Sequence, residues 1–479
     1  VGREPGLGGP RRDWVLVLLA KAAVGAVVLG TGFRAVSDDD YARVVLAQSW
    51  AHEPKLDPTG TSWLPFPFWW TGAVMRLSGD TSLGCARAVA FVTGLASAVL
   101  ILAAARLLVA DRRAALVGAL VASSFPWSAR LGVATVPELP TAALALVAVA
   151  SLASSSGGLR VAGGAALLAA TWSRYEPWSL AVGFVLAQLA PGKTSSPTSA
   201  RARLVSSALA LFGPVAWVVH NALAHGEALH FLARVSAYKR AVGGDDALAA
   251  FAYPLALIRE EPELWLVGAA CVLVKRREPN EGRWRGPVLA LAFMVVALSL
   301  AALRGGAPTH HNGRAILVVW LALAVAVGAR FHAIVLAPTR ARVALLAATL
   351  ASLPLGALIL RPWYARLDSM SARTAEERIG ALAAQVADPV LLEARDFGFF
   401  AVQAGSGAPW RFVVDRTIDP REPSKGSSFV DGDALRARVR VTGARHVVGR
   451  PSDGTGWLGA PMASAGELHV WKVEIDRVQ

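Results

Sequence analysis

The sequence predicts an all-α polytopic membrane bundle of about eleven transmembrane helices, followed by a C-terminal α/β domain. Three observations carry this. Hydrophobic residues make up 54% of the 479 positions and charged residues only 17%, a balance too apolar for a soluble protein of several domains. Runs of roughly 20 mostly apolar residues, the length that crosses a bilayer, recur up to residue 360. From residue 361 onward charged residues become frequent and no apolar run reaches a spanning length.

The expected spans are 14–33, 86–108, 114–131, 139–155, 161–173, 178–190, 204–222, 255–274, 287–303, 315–329 and 343–360. The first is read as a retained span, because its apolar run exceeds the roughly 7–15 residues of a cleaved signal's apolar region. Orientation follows from the basic residues of the short loops, which favour the cytoplasm. Arg11 and Arg12, Arg106, Arg112 and Arg113, Lys193, Arg201 and Arg203, the basic run 275–285, and Arg340 with Arg342 all fall on one side under this count. The amino end is therefore expected inside the cytoplasmic membrane of a bacterial cell and residues 361–479 outside. The formal net charge of +14 is spread over these loops rather than gathered in a patch, so no nucleic-acid partner is expected. The two cysteines, Cys85 and Cys271, form neither a metal pattern nor a disulfide framework.

Residues 34–85 form a long first outer loop. Positions 41–50 have the spacing of a short amphipathic helix, and 63–77, containing WLPFPFWW, have the aromatic richness of the headgroup level. Two helices lying along the membrane surface are expected there. In the tail, 374–386 reads as a helix, and 390–394, 412–414, 439–441, 446–448 and 468–473 as short strands. Gly454, Gly456 and Gly459 match a dinucleotide-binding spacing, but the helix that such a site requires does not follow.

The residues with chemical potential all lie on the expected outer side. Asp38, Asp39 and Asp40 stand in SDDDYARV, directly after the first span. Adjacent carboxylates repel one another and resist burial, so in so apolar a chain they point to a wet cavity near the bilayer surface. One of them could act as a base toward an attacking hydroxyl; a solvated helix cap is the plainer reading. Glu138, in TVPELP, begins a span, where it either favours the helix dipole or adds a second carboxylate to the cavity. Arg174 and Glu176, in WSRYEPW, lie between two spans, as an internal ion pair or as the lining of an aqueous path. His310, His311 and Arg314, in THHNGR, precede another span; adjacent histidines lack the three- or four-residue repeat of helical metal ligands, so phosphate contact or solvation fits them better.

Taken together, SDDDYARV followed by SWLPFPFWWTG, the second acid at Glu138 and the outer tail resemble the GT-C glycosyltransferase superfamily, most of all the branch of protein O-mannosyltransferases and bacterial aminoarabinose transferases. The resemblance implies an integral membrane enzyme that takes a mannose-like or related sugar from a polyprenyl-phosphate carrier, with inversion, and transfers it to a hydroxyl of a lipid, glycan or protein acceptor. It implies Asp39 as general base, Asp40 as the acid that follows it, Glu138 as the second outer-loop acid, and Arg43 and Arg174 near the donor phosphate. Asp38 has no clear counterpart and joins Glu176 among the substrate-binding residues. Members often carry a lysine before the proline pair of the interfacial helix, where this chain has Ser62, Trp63 and Leu64. Phosphate contact would then fall to Arg43, Arg87, His310, His311 or Arg314. Because arginine contacts phosphate bidentately, no cofactor is required, and a divalent cation is an optional aid. The competing class is a transporter or lipid flippase using the same acids for ions or protons; that function calls for polar groups near mid-membrane in two related halves, which the sequence does not display.

Overall fold

The computed structural model describes residues 11–60, 63–189, 199–241, 249–274, 281–303, 312–336, 339–355, 373–419, 421 and 426–474. The chain is mainly helical up to residue 355: α1 (Arg11–Gly30), α2 (Asp38–His52), α3 (Phe66–Ser78), α4 (Leu83–Leu108), α5 (Arg112–Ser124), α6 (Pro126–Leu131), α7 (Glu138–Ser151), α8 (Gly157–Thr171), α9 (Glu176–Leu189), α10 (Ala200–His225), α11 (His230–Ala241), α12 (Ala252–Arg259), α13 (Pro262–Val274), α14 (Arg285–Leu303), α15 (Asn312–Ala315), α16 (Leu317–Val335) and α17 (Thr339–Leu355).

Among the described residues, five helices, α1, α4, α10, α14 and α16, are long and apolar enough to cross a membrane. The six other expected spans fall on helices of 13 to 17 residues, α5, α7, α8, α9, α13 and α17. At 1.5 Å per residue these reach about 20–26 Å, less than a hydrocarbon core of about 30 Å. Large apolar side chains such as Leu19, Leu223 and Leu300 project outward from the bundle, as they do where the surrounding solvent is lipid.

Two expected spans are broken, each at a proline. Residues 114–131 divide into α5 and α6 at Phe125–Pro126, since Pro126 cannot donate to the preceding turn. Lys21 of α1 bridges the break: its buried ammonium donates to Ser123 O of α5 (3.0 Å) and to Ser128 O of α6 (2.6 Å). Residues 255–274 divide into α12 and α13 at Glu260–Glu261, ahead of Pro262. Glu261 accepts from Trp127 N (3.1 Å) and Glu260 from Trp127 Nε1 (2.9 Å), so both acids are held against the start of α6.

Helices α5 and α16 meet where glycine faces glycine. A Cβ on Gly118 would lie 2.6 Å from Val325 O, and one on Gly328 would lie 2.7 Å from Gly118 Cα. Small residues at such crossings let backbones approach, which in lipid supplies packing that hydrophobic burial cannot.

The C-terminal segment forms a five-stranded sheet, β1 (Val390–Leu392), β2 (Phe412–Val414), β3 (His446–Gly449), β4 (Ala463–Ala465) and β5 (Leu468–Lys472), in the order β2-β1-β3-β5-β4. β1 pairs in parallel with β2 and β3, whereas β5 runs antiparallel to β3 and β4. Helices cover both faces. Val390 and Leu392 pack with Ile379 and Val402, and Leu391 packs on the opposite side with Leu435 and Val439. The expected strand at 439–441 is instead the end of the helix Gly432–Thr442. Asp431 caps that helix by accepting from Ala434 N (2.9 Å), and Gly443, at φ 64°, ends it. Its alternating Val and Arg satisfied both periodicities over so short a window.

Candidate active site

The three aspartates open α2, where its unpaired backbone amides favour negative charge. Each residue turns about 100° around the axis, and the three carboxylates therefore meet three different environments. Asp38 faces the C-terminal α/β unit and takes a two-pronged contact from Arg373, whose Nε and Nη2 donate to Oδ1 and Oδ2 at 3.0 Å each. Asp40 turns inward and is buried. Its Oδ2 accepts from Val36 N (2.9 Å) and Ser37 N (3.2 Å), and its Oδ1 from Thr135 N (2.9 Å) and Thr135 Oγ1 (3.0 Å). Asp39 accepts no hydrogen bond among the described residues. It lies near enough to Arg43, Arg174 and Tyr238 to bias their protonation.

Glu138 begins α7 only 1% exposed, and its Oε1 accepts from Arg174 Nη1 (2.7 Å) and from Arg314 Nε (2.9 Å) and Nη2. Arg174 also grips Glu176, with Nε 3.2 and 3.1 Å from the two carboxylate oxygens. Arg43, one helical turn beyond Asp39, is buried, with its guanidinium 4.5 Å above the Trp63 ring and 5.8 Å from that of Phe68. Burial lowers the pKa of Arg43, Arg174 and Arg314 add to that, and Glu138 and Asp39 oppose it.

Several buried polar atoms here have no partner among the described residues: Arg43 Nε, Arg314 Nη1, Glu138 Oε2 and Thr141 Oγ1. Buried polar groups are ordinarily hydrogen-bonded, so this concentration marks a site built to receive polar groups from elsewhere. A space of about 20 Å³ adjoins Glu138, Arg174 and Arg314, and an apolar groove with a cavity of about 80 Å³ runs from Arg43 between α3, α4 and α7. Guanidinium groups beside an apolar groove fit an amphiphile with an anionic head.

No protein-family profile matches the chain, and no curated protein matches it. Solved structures do. The oligosaccharyltransferase AglB of Archaeoglobus fulgidus, in complex with an inhibitory peptide and a dolichol-phosphate, superposes with a TM-score of 0.53 at 13% identity, over 91% of this chain and 69% of that one. The same organism's enzyme tethered to an acceptor peptide containing the NVT sequon gives 0.50 at 14% identity, and its complex with Zn and sulfate gives 0.53 at 13%. The chain shares the fold of these archaeal oligosaccharyltransferases. At that identity the likeness extends to architecture alone.

Within this fold, Asp39, Arg43, Glu138, Arg174, Glu176 and Arg314 gather at one end of the bundle, although they come from stretches far apart in the chain. Arg87 does not join them: its Nη1 and Nη2 bind Glu377 at 3.1 and 2.6 Å. Asp38, through Arg373, faces the same α/β unit. His310 and His311 lie outside the described residues. Among the described residues no group of three or more His, Cys, Asp or Glu side chains is arranged to hold a metal ion. Thr135, Arg373 and Glu377 went unnoticed in the sequence, since nothing local distinguishes them from other surface polar residues.

Proposed function

We propose that the protein is an integral membrane inverting glycosyltransferase, moving a sugar from a polyprenyl-phosphate carrier to an acceptor hydroxyl on the outer face. The observation that carries this reading is the division of labour in the acid triplet. Of the three, Asp39 alone accepts no hydrogen bond among the described residues, and it lies beside Arg43 and Arg174, which gather with Arg314 around Glu138.

In this reading Asp39 removes the proton of the acceptor hydroxyl as that oxygen attacks the anomeric carbon. The bond from that carbon to the phosphate oxygen breaks on the opposite side, so one displacement inverts the centre. The leaving polyprenyl phosphate gains negative charge, which Arg43, Arg174 and Arg314 stabilise by charge-assisted hydrogen bonds in a site shielded from water. Glu138 holds Arg174 and Arg314 in register, and Asp40 pins α2 to the segment before α7. The groove beside Arg43 receives the first part of the carrier chain.

Chemistry at one end of the bundle favours transfer over transport, which requires polar groups along a path. The dolichol-phosphate and the acceptor peptide bound by the archaeal oligosaccharyltransferases support a lipid-linked donor and an acceptor of peptide type. The zinc in one of those structures supports a divalent cation as an accessory. We assign the protein about eleven crossings, several by short helices, with residues 1–360 as the catalytic membrane domain, 361–479 as an extracytoplasmic domain, and the basic loops in the cytoplasm.

The test is reconstitution with polyprenyl-phosphate sugars and a panel of lipid, glycan and peptide acceptors. Asp39→Asn is expected to lower turnover by about 10²–10⁴-fold while leaving membrane insertion unchanged. Full turnover in that variant would remove Asp39 from the role of base.

A further inference from the structure

The C-terminal α/β unit is built onto α2. Tyr41, Val44, Val45 and Ala47 of α2 share one apolar cluster with Ala401 and Ala404, from the helix Phe399–Ser406. Gln48, fully buried, donates from Nε2 to Thr81 O and to Ala404 O, both at 2.9 Å. At the end of α2, His52 stacks on Trp410 with ring centroids 4.1 Å apart.

The first turn carries two ionic ties as well. Arg373 grips both oxygens of Asp38, and its remaining nitrogen donates to Glu376 (3.1 Å) and lies 3.2 Å from Asp396. Glu377, in the helix Thr374–Ala383, accepts from Tyr41 Oη (2.7 Å) and from both terminal nitrogens of Arg87, so it joins α2 to α4.

Helical spacing gives these ties a mechanical meaning. Asp38 and Tyr41, three apart, share the face gripped by the α/β unit, while Asp39 and Arg43, four apart, share the face turned toward Arg174 and Glu138. Whatever holds the first face sets the rotation of the second. A turn of about 20° around the axis would move a carboxylate about 6 Å from that axis by about 2 Å. Misplacement on that scale is enough to cost about 10²-fold in rate.

We infer that Arg373 and Glu377 are positioning residues of the active site: by gripping Asp38 and Tyr41 they fix the rotation of α2, and so aim Asp39 and Arg43 at the arginine cluster. What the aimed groups do rests on the glycosyltransferase reading; the aiming itself does not. The α/β unit is then part of the catalytic apparatus rather than a passive appendage, and Asp38 belongs to its attachment.

The experiment uses the full-length chain in lipid, with Arg373→Ala, Arg373→Lys and the exchange Asp38→Arg with Arg373→Asp. Arg373→Ala is expected to lower kcat by about 30-fold or more, with KM for donor and acceptor within about threefold, because placement rather than binding is lost. The lysine variant and the charge exchange should recover part of that loss. A second readout is independent of turnover. In a Cys85→Ser, Cys271→Ser background, Asp39→Cys is labelled with a water-soluble maleimide, with and without Arg373→Ala. The clamp requires the labelling rate to change by about fivefold or more, since thiol reaction follows exposure and local charge. If kcat per folded molecule and labelling rate both match the parent, the clamp is overturned. If no sugar donor supports transfer in the parent, a changed labelling rate upholds the clamp and removes the glycosyltransferase reading, whereas an unchanged rate overturns the clamp itself.

Discussion

Two buried ion clusters sit at the two ends of the bundle. Near the start of α1, Asp13 receives Arg106 Nη2 (2.9 Å) and Arg112 Nε (2.8 Å) on one oxygen and Arg112 Nη2 (3.0 Å) on the other, with Arg106 stacked 4.4 Å over Trp14. At the far end Glu138 also serves two arginines, but both meet the same oxygen, and Oε2 has no partner among the described residues. A third guanidinium, Arg43, and a third carboxylate, Asp39, stand nearby without forming a pair. In the first cluster both oxygens of the acid are taken up by arginines, and the cluster ties α1 to α4 and α5. The second leaves hydrogen-bonding capacity aimed inward, which the fold tolerates only where something else is to be bound.

Exchanging one acid in each cluster gives the sharpest contrast. Glu138→Gln should reduce transfer by about 10²-fold or more, because two arginines lose the charge that sets their geometry. Asp13→Asn should instead lower the melting temperature, with kcat per folded molecule within about twofold of the parent. Equal effects of the two variants on kcat would erase the distinction between brace and site. A smaller effect is expected from Arg174→Ala: a rise of about tenfold in the donor concentration needed for half-maximal rate, with acceptor dependence little altered. An unchanged donor dependence would move Arg174 to the bracing group. Removing the ring beneath Arg43, by Trp63→Ala, should weaken donor binding by only about two- to fivefold, the scale of one cation–π contact.

The gentlest probe is pH. Burial raises the pKa of Glu377, but the hydrogen bonds from Arg87 and Tyr41, with Arg87 and Arg34 as nearby charges, outweigh it and bring the carboxyl below its usual 4.5. A carboxylate depressed in the folded protein stabilises it fully above the unfolded value and loses that contribution as pH falls through the folded one. Attachment of the α/β unit to α2 should therefore hold at neutral pH and weaken only below about pH 4. Proteolysis or hydrogen exchange across Thr374–Ala383 would report this, and Glu377→Gln should abolish the dependence.

Much of the architecture was readable because lipid imposes a simple rule, long apolar segments with charges at their ends. The rule failed where a short-range signal outweighed average hydropathy. Pro126 ended α5 inside an expected span, and Glu260 with Glu261 interrupted another. Glu138, Arg174 and Arg314 could be suspected because charge is rare in such surroundings. The allocation of the acid triplet could not be read. It depends on Thr135 and Arg373, one of them 335 positions from Asp38, and nothing in SDDDYARV distinguishes the three carboxylates. The engagement of Arg87 is hidden for the same reason, its partner Glu377 being 290 positions away.

The fourfold-bonded Asp40 makes α2 and the Thr135 segment a single piece, three residues before Glu138. If the amino end of α7 shifts, Asp39 and Glu138 must travel together, and the spacing between that carboxylate and the arginines held by Glu138 becomes a fixed gauge. On the proposed glycosyltransferase reading, variation in acceptor size would then be absorbed on the side of Asp39 facing α11, while the gauge stays constant.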